Sequence, residues 1–178
     1  MKRLAVTTII VFIVTVLIPA QDSGITLRRG YREILLGMEF EATQTALESE
    51  AAFFYRGPAD VSLLPSDGEH IIDSAGRGFV DRGLFQFHQG TLYSIAIYLD
   101  RTRLDYFQMF EQLRGRYGEP SDLDPNRAIW EDESTRIELE RPLTVRYLDL
   151  DTFLQRRNDT RRLDSAAQMS RDMFLSEF

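Results

Sequence analysis

The chain has 178 residues, 43% of them hydrophobic and 11% aromatic, which suits one globular domain, or at most two small ones, and excludes a disordered chain. It has no Cys, which excludes a disulfide framework, a thiol nucleophile and a cysteine metal site. Lys and Arg total 21 against 28 Asp and Glu, and the net charge of −7 argues against non-specific nucleic-acid binding.

Residues 1–20 read as a secretory signal peptide. Lys2 and Arg3 form a positive start, residues 4–18 are a 15-residue apolar stretch, and Pro19-Ala20 closes it with a small residue before the cut. The alternative is an uncleaved anchor in the inner membrane. A span needs about 20 apolar residues, and this run is shorter and interrupted by Thr7, Thr8 and Thr15. No Cys stands at the cleavage point to carry a lipid. Removing the segment leaves 158 residues whose only cations are arginines, with a net charge of −9. The expected location is periplasmic or secreted, with no stable membrane span after cleavage.

Residues 21–150 read as an α+β domain. Residues 21–36 have no clear pattern. Phe40, Thr43, Ala46, Leu47, Ala51 and Phe54 recur at helical spacing, which predicts a first helix over 39–53, ended by Arg56-Gly57-Pro58. Residues 58–69 hold Pro58, Asp60, Pro65, Ser66, Asp67 and Gly68 and read as a loop, with a short strand at 70–73. A hairpin follows, with strands at 79–87 and 92–99 and a tight connection at His88-Gln89-Gly90. Thr102-Arg103-Leu104-Asp105 matches a capping box for a second helix. Tyr106, Met109, Phe110, Leu113 and Tyr117 form its apolar stripe, and Gly118 and Pro120 stop it. Alternation predicts three more strands, at 128–131, 135–140 and 143–148, antiparallel with one wet face. The order suggests two degenerate helix-plus-strands units in an antiparallel sheet, with helices packed on one face.

Residues 151–178 read as a C-terminal helical extension. Residues 155–162 are polar and hold Arg156, Arg157, Arg161 and Arg162. Leu163, Ala166, Ala167, Met173, Phe174 and Phe178 then make an apolar stripe that docks on the domain or is offered to a partner. Leu163, Met173, Phe174 and Phe178 are the candidate binding residues.

Asp122, Asp124, Asn126 and Glu133 fall at positions 1, 3, 5 and 12 of a calcium-loop spacing. Two features oppose a metal there: Arg127 occupies the position that needs Gly, and the exit segment reads as a strand where the motif needs a helix. An Asp/Asn/Pro turn is the simpler reading, with a calcium-stabilised module as the alternative. The only histidines are His70 and His88, and a zinc or nucleophile site would need them joined by long-range folding. Carboxylates are plentiful, so a small extracytoplasmic hydrolase using carboxylates or His88 is an alternative. There is no nucleotide-binding glycine motif, and no cofactor is expected.

Leu36-Gly37-Met38 with its helix, Phe85-Gln86-Phe87-His88-Gln89-Gly90-Thr91-Leu92-Tyr93, and Tyr117-Gly118-Glu119-Pro120 followed by Trp130 resemble a small envelope module. The module is the helix-plus-antiparallel-sheet unit of the outer-membrane assembly lipoproteins and the β-lactamase-inhibitor-protein-like repeats. The match runs over residues 36–148 in two units, and departs from the pattern in lacking the lipoprotein Cys and a Gly-x-Pro end to the first helix. The segment around Trp130 to Glu133 and Glu140 to Val145 resembles part of a secreted bacterial family. These resemblances imply a binding or assembly role, with a protein or envelope component as partner, and no catalysis.

Overall fold

A computed structural model describes residues 26–63 and 69–175. The signal-peptide segment and Phe178 lie outside the described residues. In chain order the elements are β1 (Gly30–Tyr31), β2 (Ile34–Leu35), α1 (Phe40–Ser49), β3 (Phe53–Phe54), β4 (Val61–Leu63), β5 (His70–Gly76), β6 (Val80–His88), β7 (Thr91–Leu99), α2 (Tyr106–Tyr117), β8 (Asp122–Leu123), β9 (Arg127–Glu131), β10 (Thr135–Glu140), β11 (Thr144–Asp149) and α3 (Leu150–Leu175). The class is α+β. No helix among the described residues is long and apolar enough to cross a membrane.

The main sheet is antiparallel in the order β3-β5-β6-β7-β11-β10-β9-β8, with β4 also paired to β5. Each half is a helix followed by a meander: α1 leads to β5-β6-β7, and α2 leads to β9-β10-β11. The halves join where β7 pairs with β11, Ser94 opposite Leu148 and Tyr98 opposite Thr144. The β6–β7 hairpin closes through Gln89-Gly90, both at positive φ, the turn whose twist suits two adjoining strands.

The first helix is shorter than its periodicity predicts. Glu50 leaves the helical region at φ −86°, ψ 111°, and its carboxylate takes the Ala52 amide at 3.0 Å. Phe53 then enters β3 and meets Phe85 edge-on, 5.3 Å between ring centroids. Gly83 makes this approach possible, since a Cβ there would lie 2.5 Å from the Phe53 ring. Strand docking of an aromatic thus outweighs helix continuation. The loop predicted at 58–69 contains a 3-10 turn at Gly57–Asp60 and β4.

The cap of α2 is Asp105, not Thr102. Asp105 Oδ1 accepts the Gln108 amide at 2.9 Å and Gln108 Oε1 accepts the Asp105 amide at 3.4 Å. Thr102 is held by its amide and hydroxyl on Asp100 Oδ1, at 2.8 and 2.6 Å, in the turn leaving β7. Asp100 forms the earlier Asx turn, so the box starts three residues later.

The core lies between one face of the sheet and the helices α1 and α2. Ile72, Phe85, Ile95, Ile97, Trp130, Ile137 and Leu139 point into it and meet Leu47 of α1 and Leu113 and Tyr117 of α2. Trp130 is buried as expected, and its Nε1 donates to the Gly118 carbonyl at 2.9 Å, tying β9 to the end of α2. The other sheet face carries the polar residues of the alternation. α3 starts against that side and then runs outward for about 39 Å in total.

Candidate functional site

Strand register arranges the second face in rows. Asp122, Ile129, Glu138, Arg146 and Ala96 lie across β8, β9, β10, β11 and β7. Arg127, Glu140, Thr144 and Tyr98 form the row on one side. Glu131, Arg136, Leu148, Ser94 and Gln86 form the row on the other. Ser94 and Ala96 are small, so the centre of the face is low between long side chains. The result is a furrow of about 590 Å³, with Phe153 and Arg157 of α3 along one wall and Tyr93 and Gln86 near the hairpin. Clefts of about 650 and 700 Å³ flank α2 but are mainly apolar, whereas ionisable groups converge in the furrow.

Arg146 forks onto Glu140, Nε to Oε1 at 3.3 Å and Nη2 to Oε2 at 3.1 Å, and its Nε lies 3.9 Å from Glu138 Oε2. Arg136 donates from Nε to Glu131 at 2.6 Å, and its Nη1 lies 3.6 Å from Glu138 Oε1. The Glu138 side chain is only 7% exposed. Burial first, then the neighbouring Glu140 carboxylate, pushes the Glu138 pKa up against the pull of Arg136 and Arg146. Glu140 is pushed up by its own burial, but the Arg146 hydrogen bonds and charge outweigh this and hold it below the ordinary range. The pair therefore carries a shared proton to higher pH than an isolated glutamate.

The sign of the pH dependence follows. Above the ordinary glutamate value of 4.5, folded Glu138 retains a proton that the unfolded chain releases, so stability falls as pH rises towards its raised value. Glu140 acts oppositely, contributing stability that is lost as pH falls below 4.5. Glu138→Gln is expected to remove the decline on the high side. Melting curves at pH 4.5 and 7.5 check this: the variant gains a few degrees on the parent at the higher pH, and an equal difference at both would refute it.

α3 is fastened near the hairpin by three residues. His88 Nδ1 and Arg156 Nη1 both meet Glu69 Oε1, and Arg156 Nη1 is 2.9 Å from His88 Nδ1. The Arg156 guanidinium also sits 5.1 Å from the Tyr93 ring centroid. His70 faces the other way, 4.7 Å from the Phe40 ring on the core side. The two histidines thus lie on opposite sheet faces, and His88 anchors a helix.

The calcium-loop spacing becomes a strand hairpin. Asp122 pairs in β8 opposite Ile129. Asp124 accepts the Asn126 and Arg127 amides at 2.7 and 3.0 Å and pairs with Arg127 Nε at 3.0 Å. Glu133 lies beyond the far end of β9, about 16 Å of extended strand away. No group of three or more His, Asp or Glu among the described residues is placed to hold a metal ion. Of the candidate binding residues, Met173 and Phe174 are exposed, at 64% and 60%, while Leu163 lies within α3 and Phe178 beyond the described residues. Sequence reasoning missed Ser94, Glu138, Glu140 and Arg146. Their signal was the charged phase of two adjacent alternating strands, with arginines and glutamates due on the same face.

A family model, the TP0088 domain, matches residues 29–159, from just before β1 to the tenth residue of α3, and so takes in the sheet together with Phe153, Arg156 and Arg157. No curated protein and no solved structure matches the chain, so neither comparison links it to the outer-membrane assembly or β-lactamase-inhibitor modules. The chain belongs to the TP0088 domain family.

Proposed function

We propose that the protein is a non-enzymatic extracytoplasmic binding or envelope-assembly protein, periplasmic or secreted, that recognises its target through the polar furrow. The observation that carries this reading is the furrow itself, whose charged side chains are fixed by one another and bordered by α3. Preset ion pairs of this kind orient a ligand at low entropic cost. The export pattern of residues 1–20, with its expected cleavage near Ala20, supports that compartment. The exposed Met173 and Phe174 of α3, which the sequence continues in one apolar stripe with Leu163 and Phe178, give a protein or envelope component a second surface.

The test is a photo-crosslinking residue at Gln86, on the furrow wall, in a chain expressed with its own N-terminus in a bacterial host. Recovery from the periplasm with Gln21 as first residue, and an adduct to an envelope component formed from Gln86 and not from Glu41 on α1, is the expected result. Retention in the cytoplasm, or equal adducts from both positions, would overturn it. A second reading, a small hydrolase, draws on the Glu138 and Glu140 pair, whose opposed pKa shifts resemble an acid–base couple. Hydrolysis of envelope polymers by the parent and not by Glu138→Gln would favour that reading instead.

A further inference from the structure

The chain is acidic, at −7, yet the furrow is lined by Arg127, Arg136, Arg146 and Arg157 against Asp122, Glu138 and Glu140. Three of these arginines are committed: Arg146 to Glu140, Arg136 to Glu131 and Arg127 to Asp124. Arg157 has no ion-pair partner among the described residues. Its guanidinium lies 5.9 Å from the Phe153 ring centroid, and that of Arg136 lies 5.6 Å from the same ring. Arg136 is neutralised by Glu131, which leaves the Arg157 charge beside the ring for an anion seated there to offset. On the floor of the furrow, Ser94 is 1% exposed and its hydroxyl has no hydrogen-bond partner among the described residues. An unmet buried hydroxyl is costly, and a ligand oxygen reaching it recovers that cost.

Building on the binding-module reading, we propose that the furrow binds a carboxylate, held by the guanidinium fork of Arg157 beside Phe153, with the Ser94 hydroxyl serving a second polar atom of the same ligand. A planar guanidinium fork matches a carboxylate with two parallel hydrogen bonds, as Arg146 already does with Glu140. A phosphate matches the fork equally well. Its second negative charge, however, sits on the same small group and would face Asp122, Glu138 and Glu140 in the same furrow, whereas a carboxylate brings one charge to the fork and holds any other a chain length away. A free small acid and the glutamate side chain of a peptide present the same chemistry.

Calorimetric titration of the full chain with glutarate, triglutamate, inorganic phosphate and glutaramide tests the assignment. Saturable binding of glutarate or triglutamate, at least tenfold tighter than phosphate and absent with glutaramide, is expected. Binding of glutarate identifies a free acid as the source, and binding of triglutamate alone identifies a peptide. Arg157→Gln is expected to weaken the tighter probe about tenfold, equal to about 1.4 kcal/mol. Ser94→Ala should weaken it severalfold with no loss of melting temperature in the unliganded protein, and Arg103→Gln, outside the furrow beside Asp100, should leave it unchanged. Failure of both carboxylate probes, tighter phosphate binding, or indifference to Arg157→Gln would overturn the ligand class. If the Gln86 crosslink persists in that case, the binding-module reading stands and only the carboxylate assignment falls.

Discussion

Phe85→Ala is expected to lower folding stability by about 3–5 kcal/mol. Phe85 is fully buried in β6, paired between Ile72 of β5 and Ile95 of β7. Its ring meets Phe53 edge-on beside Gly83, where the backbone itself leaves no slack for collapse. The cavity would open where β3, β5 and β6 come together. Chemical denaturation with an unchanged m-value checks this. A loss under 1 kcal/mol would mean that the first meander relaxes around the void, and that Phe53 docking contributes little.

Arg146→Ala is expected to be the most damaging change on the charged face, costing about 2–3 kcal/mol at neutral pH. It removes the cation that holds Glu140 and faces Glu138, and leaves two neighbouring carboxylates in a half-buried site. The loss should shrink at pH 4.5, where the pair gains protons, and should be reduced when Glu140→Gln is added. Arg103→Ala, at an exposed pair with Asp100, serves as the comparison and should cost well under 1 kcal/mol. Equal losses for Arg146→Ala with and without Glu140→Gln would show that the arginine acts by packing alone.

Much of the fold was legible in local pattern. The β6–β7 hairpin, the α2 stripe with its Gly118 stop, and the alternation of β10 and β11 all depend on neighbours a few residues apart. What was hidden depends on partners far along the chain. The end of α1 is decided by the fit of Phe53 beside Gly83, thirty residues on. The furrow needs the β7–β11 register before Ser94, Arg146 and Glu138 share a face. The role of His88 needs Glu69 on one side and Arg156 of α3 on the other. The calcium-like spacing resolves as the simpler turn reading, because Asp and Asn serve turns as well as metals and β9 stretches the spacing out along a strand.

The joint between β7 and β11 also bears on how the chain reaches this state. Within each meander, strands that pair are neighbours in sequence, so either half can organise from short loops. The joint is different: it unites residues 46 to 54 positions apart, from Tyr98 with Thr144 to Ser94 with Leu148. Closing that distance is the slow, entropically expensive step of assembly. Until it is taken, each half exposes a bare strand edge with the hydrogen-bonding pattern its other half requires. At high concentration that edge is offered equally to the matching half of another molecule. Intertwined dimers, with β7 of one chain against β11 of another, are the form of misassembly to which this topology is open.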